Sequence, residues 1–292
     1  MDGPRRIVTD SMFGIKLPDY ARYSSRVAFV LGQNPTMFTG PGTNTYLVGS
    51  GQRPLLLDTG AGVSIYPELL EKGLAELSHS RELDRIVVTH GHADHIGGVR
   101  QVREKFGNLD VLKKPWPERD AAAGAIPITA LEPDALIFAE GATLRAVFTP
   151  GHAPDHLCYY LVEERALFTG DVVLGAGTTV IPEDGGDLAQ YLDSLRLLLE
   201  MDLETIYPAH GPVIRNPRQK IREYIAHREL RENQVLDTLR QGPLDIMAIV
   251  KKIYSDVPEF LHQAAASSVR SHLKKLLNES AVVEHQGQWT LR

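Results

Sequence analysis

The sequence predicts an α+β protein followed by a smaller helical module. Between residues 26 and 215, short apolar runs alternate with longer mixed stretches, the pattern of strands packed against helices. After Asn216-Pro217 the runs give way to long amphipathic segments. With 43% hydrophobic and 23% charged residues in a chain of 292, the composition is that of a globular protein. A core domain of about 200 residues plus a smaller one fits that length.

Residues 1–25 read as a polar arm. The apolar runs at 26–31, 45–48, 54–57, 85–89, 144–149, 157–162, 166–169 and 205–207 are rich in Val, Ile, Leu, Phe and Tyr and read as strands, several of them buried. Helical periodicity appears at 66–77, 97–106 and 188–201. Beyond 216, residues 218–240 read as one long amphipathic helix, broken by Gly242-Pro243. Residues 244–254 and 258–277 read as two more helices, and AVVEHQGQWTL as two short strands around Gln286-Gly287. Three helices and a hairpin are the pattern of a winged helix. The domains are therefore an arm over 1–25, a mixed α and β domain over 26–215 and a winged-helix-like domain over 216–292.

Charge is uneven. Residues 216–292 carry 12 Lys and Arg against 9 Asp and Glu, or +3, which leaves −9 for the rest of a chain whose net charge is −6. An acidic body is not the footprint of a nucleic-acid binder, although the basic tail leaves room for one. No apolar run approaches the roughly 18 residues of a membrane span. The N-terminal stretch lacks the apolar segment of a signal peptide, and the one cysteine, Cys158, excludes an intrachain disulfide. These features predict a cytoplasmic protein with no membrane partner and leave room for a homodimer.

The chemistry concentrates in THGHADHIGG, residues 89–98, which holds His90, His92, Asp94 and His95. Three further residues share their placement. RIVVT leads into His90, LRAVFTPG into His152, ALFTG into Asp171 and ETIYPA into His210. Each time an apolar strand ends and the next loop presents a His or an Asp. Strand ends are rigid, and their loops can converge on one point. Imidazoles and carboxylates suit zinc, and also iron or manganese. In an extended segment His90 and His92 project the same way, while Asp94 and His95 can face a second centre. The stretch can then serve two metals about 3.5–4 Å apart, with Asp171 able to bridge them.

THGHADHIGG resembles the signature of the metallo-β-lactamase superfamily, and LLLDTG, TPGHAPDH, FTGD and PAHG match its other motifs. The resemblance covers roughly residues 26–215. It implies a four-layer αββα sandwich with two Zn2+ at one edge of the paired sheets. Carried over, His90, His92 and His152 would hold one metal, Asp94, His95 and His210 the other, and Asp171 would bridge. Asp58, ending LLLD, would orient a ligand histidine by hydrogen bond. Class B1 and B2 lactamases place a cysteine where this chain has Asp171. Cys158 lies inside a predicted strand and reads as core. The glyoxalase II, ribonuclease and thioesterase branches use aspartate. Flavodiiron proteins replace the second His with Glu, which His92 excludes. The 39 residues from Asp171 to His210 leave no room for the inserted domain of mRNA-processing nucleases.

GQNPTMFTGPGTNTYLVG, the winged-helix pattern, and IYPAHGPVI followed by a long helix resemble the lactamase-β-like 2 group. That group includes endoribonucleases of single-stranded RNA and thioesterases that release polyketides from carrier proteins. GPGTNTYL and THGHADH depart from the motifs of the animal proteins and point to a bacterial-type member.

The reading is a dinuclear hydrolase in which a bridging hydroxide attacks a carbonyl or phosphoryl centre, with Asp94 binding metal and orienting the nucleophile and Asp171 catalytic beside it. Its substrate is a small acyl compound (thioester, ester or lactam) or single-stranded RNA. Three alternatives stand beside it: a dedicated endoribonuclease, a mononuclear iron dioxygenase of the persulfide type, and a non-catalytic metal-binding protein. Structural zinc sites are closed by four protein ligands, whereas seven donors for two ions leave solvent positions, which weighs against the last.

His156 either stands behind the ligands or hydrogen-bonds at a strand start. His79, His227, His262, His272 and His285 read as solvated or packed. Trp116 reads as a loop anchor more than a substrate-mouth residue. Lys113, Lys114 and Arg119 read as a solvated loop, and Arg270, Lys274 and Lys275 as a solvated helix face.

Overall fold

The computed structural model describes residues 14–78, 80–120, 126–256 and 258–292. Residues 1–13 of the arm and His79 lie outside them. The described residues form two compact units. One comprises those of Met1–Phe148, with Asp155–Thr178 and Asp202–Pro217; the other comprises Thr149–Pro154, Thr179–Met201 and Arg218–Arg292.

The first unit is built on two sheets. In chain order the first sheet holds β1 (Tyr20–Arg22), β2 (Val27–Leu31), β3 (Asn44–Val48), β4 (Leu55–Leu57), β5 (Ile86–Val87), β6 (Val111–Lys113) and β7 (Ile128–Ala130), and its spatial order is the same. Neighbours are antiparallel from β1 to β4 and parallel from β4 to β7. Parallel pairs need crossovers. Here they are α1 (Tyr66–Ser78), then α2 (Ala93–Ile96) with α3 (Val99–Phe106), then a stretch containing α4 (Pro117–Asp120). The second sheet holds β8 (Leu136–Ala139), β9 (Ala142–Phe148), β10 (Leu157–Leu161), β11 (Ala166–Gly170) and β12 (Thr205–Pro208), in the order β12-β11-β10-β9-β8. All its pairs are antiparallel except β11 with β12, whose connection runs through α5 (Leu188–Leu199).

The period-2 alternation of strands explains the layering. In β2, Val27, Phe29 and Leu31 join Tyr46, Leu57, Leu144, Tyr159 and Phe168 in a core drawn from both sheets. Ala28 and Val30 face the other way and pack with Tyr66, Leu70 and Leu74 of α1 and Val99 and Val102 of α3. A strand buried on both faces reads as a continuous apolar run, and VAFVL is one. Cys158 is fully buried in β10, as its place in a strand implies.

The second unit carries the C-terminal helices α6 (Pro217–Leu239, all but its first residue), α7 (Ile246–Ile253) and α8 (His262–Asn278), then the hairpin β13 (Val282–His285) and β14 (Gln288–Leu291). Pro217 opens α6, where its missing N–H costs nothing. Asp187 caps α5 through Gln190 N, and Asp245 caps α7 through Ala248 N. The turn between the last strands has Gln286 at φ 52° and Gly287 at φ 79°, the left-handed pair that a two-residue hairpin requires. Val235, Leu239, Ile249, Val250, Val269, Leu273 and Val282 form one apolar cluster, so helices and hairpin share a core of their own. This is the winged helix expected from the sequence. No helix among the described residues is long and apolar enough to cross a membrane.

Candidate metal centre

The end of β4 delivers Asp58 at φ 59°, a left-handed backbone that an aspartate tolerates better than most side chains. Its carboxylate is buried and fully used. Oδ1 accepts the Thr89 N–H at 2.8 Å; Oδ2 accepts the Thr89 hydroxyl at 2.9 Å and the His95 Nδ1–H at 2.9 Å. Thr89 Oγ1 also lies 3.0 Å from His90 Nδ1. With the hydroxyl proton given to Asp58, His90 Nδ1–H is the donor in that last contact. One carboxylate and one hydroxyl thereby fix the tautomer of two histidines and leave both Nε2 atoms for a ligand.

After β5 the chain bends at Thr89 and Gly91, reaches His92 with extended backbone (φ −70°, ψ 146°) and then turns into α2, which carries Asp94 and His95. The change from extended to helical backbone separates the four side chains into two sets. His92 Nδ1 meets His90 Nε2 at 3.0 Å. His152 donates Nδ1–H to the Val180 carbonyl at 2.7 Å, so its Nε2 is also left for a ligand. His90 and His92 belong to the first unit and His152 to the second.

The second set is Asp94, His95, Asp171 and His210, with one donor atom from each within 4.8 Å of the others. Its donors are nearly evenly spaced: His95 Nε2 is 3.4 Å from Asp94 Oδ2 and 3.4 Å from Asp171 Oδ1, and His210 Nε2 is 3.3 Å and 3.1 Å from the same two oxygens. Ligands placed tetrahedrally at about 2.1 Å from one zinc ion stand roughly 3.4 Å apart. His95 Nε2 is buried and has no hydrogen-bond partner, a costly state unless a cation completes it. The residues present therefore fit a metal. The two sets adjoin, with the His90 and His95 rings 4.1 Å apart.

His156 is fully buried, and its Nε2 accepts the Asp171 N–H at 3.2 Å, so it holds the backbone of one candidate ligand. Gly170 makes this possible. It sits at φ 47°, and a Cβ there would fall 2.5 Å from His156 Nε2. His210 is held from β3: Thr43 bridges to it, and the Asn44 amide donates to the carbonyls of Pro208 at 2.9 Å and Gly211 at 2.8 Å. Sequence reasoning singled out neither Thr89 nor Asn44. Their signal was adjacency, in the TH of THGHADH and the TNTY of GTNTYL.

One expectation is corrected. Lys113 does not lie in a solvated loop; it is fully buried, 2.7 Å from Asp120 Oδ1 and 2.6 Å from Asp155 Oδ2. Trp116 is buried as the loop anchor it was expected to be. Its backbone N–H donates to Asp120, and its ring lies 5.9 Å from that of His92. His272 is packed, His285 exposed.

Without metal the second set is a network of charges. Burial opposes ionisation of Asp94, but His95 and His210 outweigh it and hold its carboxyl well below the usual range. Burial likewise opposes protonation of His210, yet Asp171 and Asp94 raise it from 6.5 to about 9. A pKa raised on folding stabilises fully below the unfolded value and loses that contribution as pH rises through the folded one. Chelator-treated protein is therefore expected to lose urea resistance as pH rises from 6.5 to about 9. Metal-loaded protein should not, because an ion takes the proton's place. Equal pH profiles for the two forms would show that His210 is not so engaged.

A family model described as Metallo-beta-lactamase superfamily matches residues 38–210, and one described as Beta-lactamase associated winged helix domain matches residues 246–289. The chain is 38% identical over 265 residues to a Beta-lactamase-like protein 2 homolog of Caenorhabditis elegans, covering 89% of this chain and 87% of the relative. It is 39% identical over 259 residues to the Atrochrysone carboxyl ACP thioesterase of Aspergillus chevalieri, covering 85% and 80%. Among solved structures, a beta-lactamase domain protein from Burkholderia ambifaria superposes with a TM-score of 0.82 over 97% of each chain at 20% identity, a likeness of fold.

Proposed function

Because the chain belongs to the metallo-β-lactamase superfamily, we propose that it is a dinuclear zinc hydrolase whose substrate is an acyl thioester. The observation that carries the reading is the convergence of Asp94, His95, Asp171 and His210 at 3.1–3.4 Å, with the His90 ring 4.1 Å from that of His95. His90, His92 and His152 would hold one ion, Asp94, His95 and His210 the other, with Asp171 shared between them. Bound there, the ions supply Lewis acidity and acidify a water to near neutral pH.

The protein's own groups do the rest. Asp58 and Thr89 keep the imidazoles of His90 and His95 in one tautomer. Asp94 is the more open carboxylate, its side chain 27% exposed against 13% for Asp171, so it is the group that orients the nucleophile. Both carboxyls are held ionised by their histidines, so neither stands ready as an acid. A thiol leaving group, with a pKa of about 8.5, departs as the anion without one, whereas an alkoxide requires a proton. This favours a thioester over a phosphodiester, as does the relative named as a thioesterase.

The charges of α8 also favour it. Arg270 pairs with Glu183, and Lys275 lies 2.9 Å from both Glu232 and Glu279. Ser271 donates to the Ile181 carbonyl at 3.1 Å. The helix is thus engaged within its own unit rather than presented for nucleic acid.

The test is a panel assay on metal-analysed protein with a His90→Ala control: an acyl-CoA, an acyl carrier-protein thioester, an aryl ester, nitrocefin and a fluorescent single-stranded RNA. Thioester turnover that tracks metal content, ignores salt and disappears in the control is expected. Salt-sensitive RNA cleavage with no thioester turnover would make the protein a ribonuclease instead.

A further inference from the structure

A second buried charged cluster adjoins the metal centre and is unused by the hydrolytic chemistry. Lys113 ends β6 with no exposed surface, and its ammonium contacts Asp120 and Asp155 and donates to the Lys114 carbonyl at 2.7 Å. Replacing such a group with an apolar side chain of similar volume is often neutral or stabilising, so its presence calls for a reason other than stability.

Both carboxylates lead to the metal ligands. Asp155 Oδ2 would lie 3.5 Å from a Cβ built on Gly91, the residue between His90 and His92, and Asp155 is followed directly by His156, which holds the Asp171 N–H. Asp120 Oδ2 accepts the Trp116 N–H at 2.6 Å; the Trp116 ring would be 3.4 Å from the same Cβ and packs near His92. Both arms of the cluster thus reach the place where a side chain of residue 91 would begin, with the Arg119 Cβ nearer still at 3.0 Å.

We propose that Lys113 is a positioning residue of the metal centre: by drawing Asp155 and Asp120 to one ammonium, it clamps the Gly91 backbone and the Trp116 ring and so sets the separation of His90 and His92. The proposal rests on the reading of these histidines as metal ligands. Partners one step behind the ligands commonly alter metal affinity as strongly as this requires.

The test compares Asp155→Asn, Lys113→Met and Lys113→Arg with the wild type. It measures zinc retained against a competing chelator, the visible spectrum of cobalt-substituted protein, and unfolding of the metal-free form. Asp155→Asn is expected to weaken one of two ions by about 10–100-fold and to change the cobalt bands, which report ligand geometry. Lys113→Arg should bind better than Lys113→Met because it keeps the charge. If Lys113→Met does not fold, Asp155→Asn carries the test alone. Variants that unfold more readily yet keep wild-type affinity and spectrum would overturn the proposal and leave Lys113 as a fold element. Wild-type protein that retains no ion would instead overturn the metal centre itself.

Discussion

Asp171→Ala is expected to lose metal and to lower turnover by on the order of 10²–10³-fold, the scale seen when a charge-stabilising group is removed from a buried site. Asp171 Oδ1 faces both His95 and His210, so its removal takes away a donor, leaves His210 without its nearest counter-charge and leaves His95 Nε2 with Asp94 alone. Asp171→Asn separates these roles. It keeps the shape and the N–H to His156 but removes the charge that opposes burial in setting the pKa of His210. The amide variant should therefore fold like wild type and bind less metal. Metal analysis and thioester turnover on both variants decide the matter. Full metal and full rate in Asp171→Ala would mean that the aspartate is not a ligand.

Asp58→Ala is expected to be the most destabilising change around the centre. It leaves Thr89 N–H, the Thr89 hydroxyl and His95 Nδ1–H buried without their acceptor, each worth about 1–3 kcal/mol when stranded. It also places alanine at φ 59°, which costs roughly another 1–2 kcal/mol. Asp58→Asn tolerates that backbone and restores one acceptor, so it should recover much of the stability. It should not recover the metal affinity, expected to drop about 10–100-fold once His95 loses its anionic anchor. Urea unfolding with and without chelator separates the two effects. Equal zinc retention by Asp58→Asn and wild type would show that the carboxylate serves folding only.

How much of this was legible in the sequence depended on burial. All eight apolar runs from 26 to 207 coincide with strands, most of them buried on both faces and so carrying an unbroken apolar signal, whereas Ala142–Phe148 alternates buried and half-buried residues. The four strands that it did not show are short or mixed. Tyr20–Arg22 lies in what reads as an arm, Leu136–Ala139 is half exposed, and in Val111–Lys113 a lysine ends the strand. Lys113 is the instructive failure. Composition says a lysine is solvated, and only the meeting of Asp120 and Asp155 in space makes its burial tolerable. The candidate ligands were legible for the opposite reason: their segments follow apolar strands, and the residue types are rare together. His156 was ambiguous until the Asp171 N–H was seen to point at it.

The second set of donors draws Asp94 and His95 from beyond β5 in one sheet and Asp171 and His210 from the ends of β11 and β12 in the other. An ion held there would bind tightly only while the two sheets are docked face to face, and weakly to chains in which they have come apart. Each tenfold excess of free ion over its dissociation constant then adds about 1.4 kcal/mol against separation of the sheets. On the proposed reading, the metal supply of its surroundings would set how firmly the sandwich is closed, and ion starvation would loosen the fold as well as stop the chemistry.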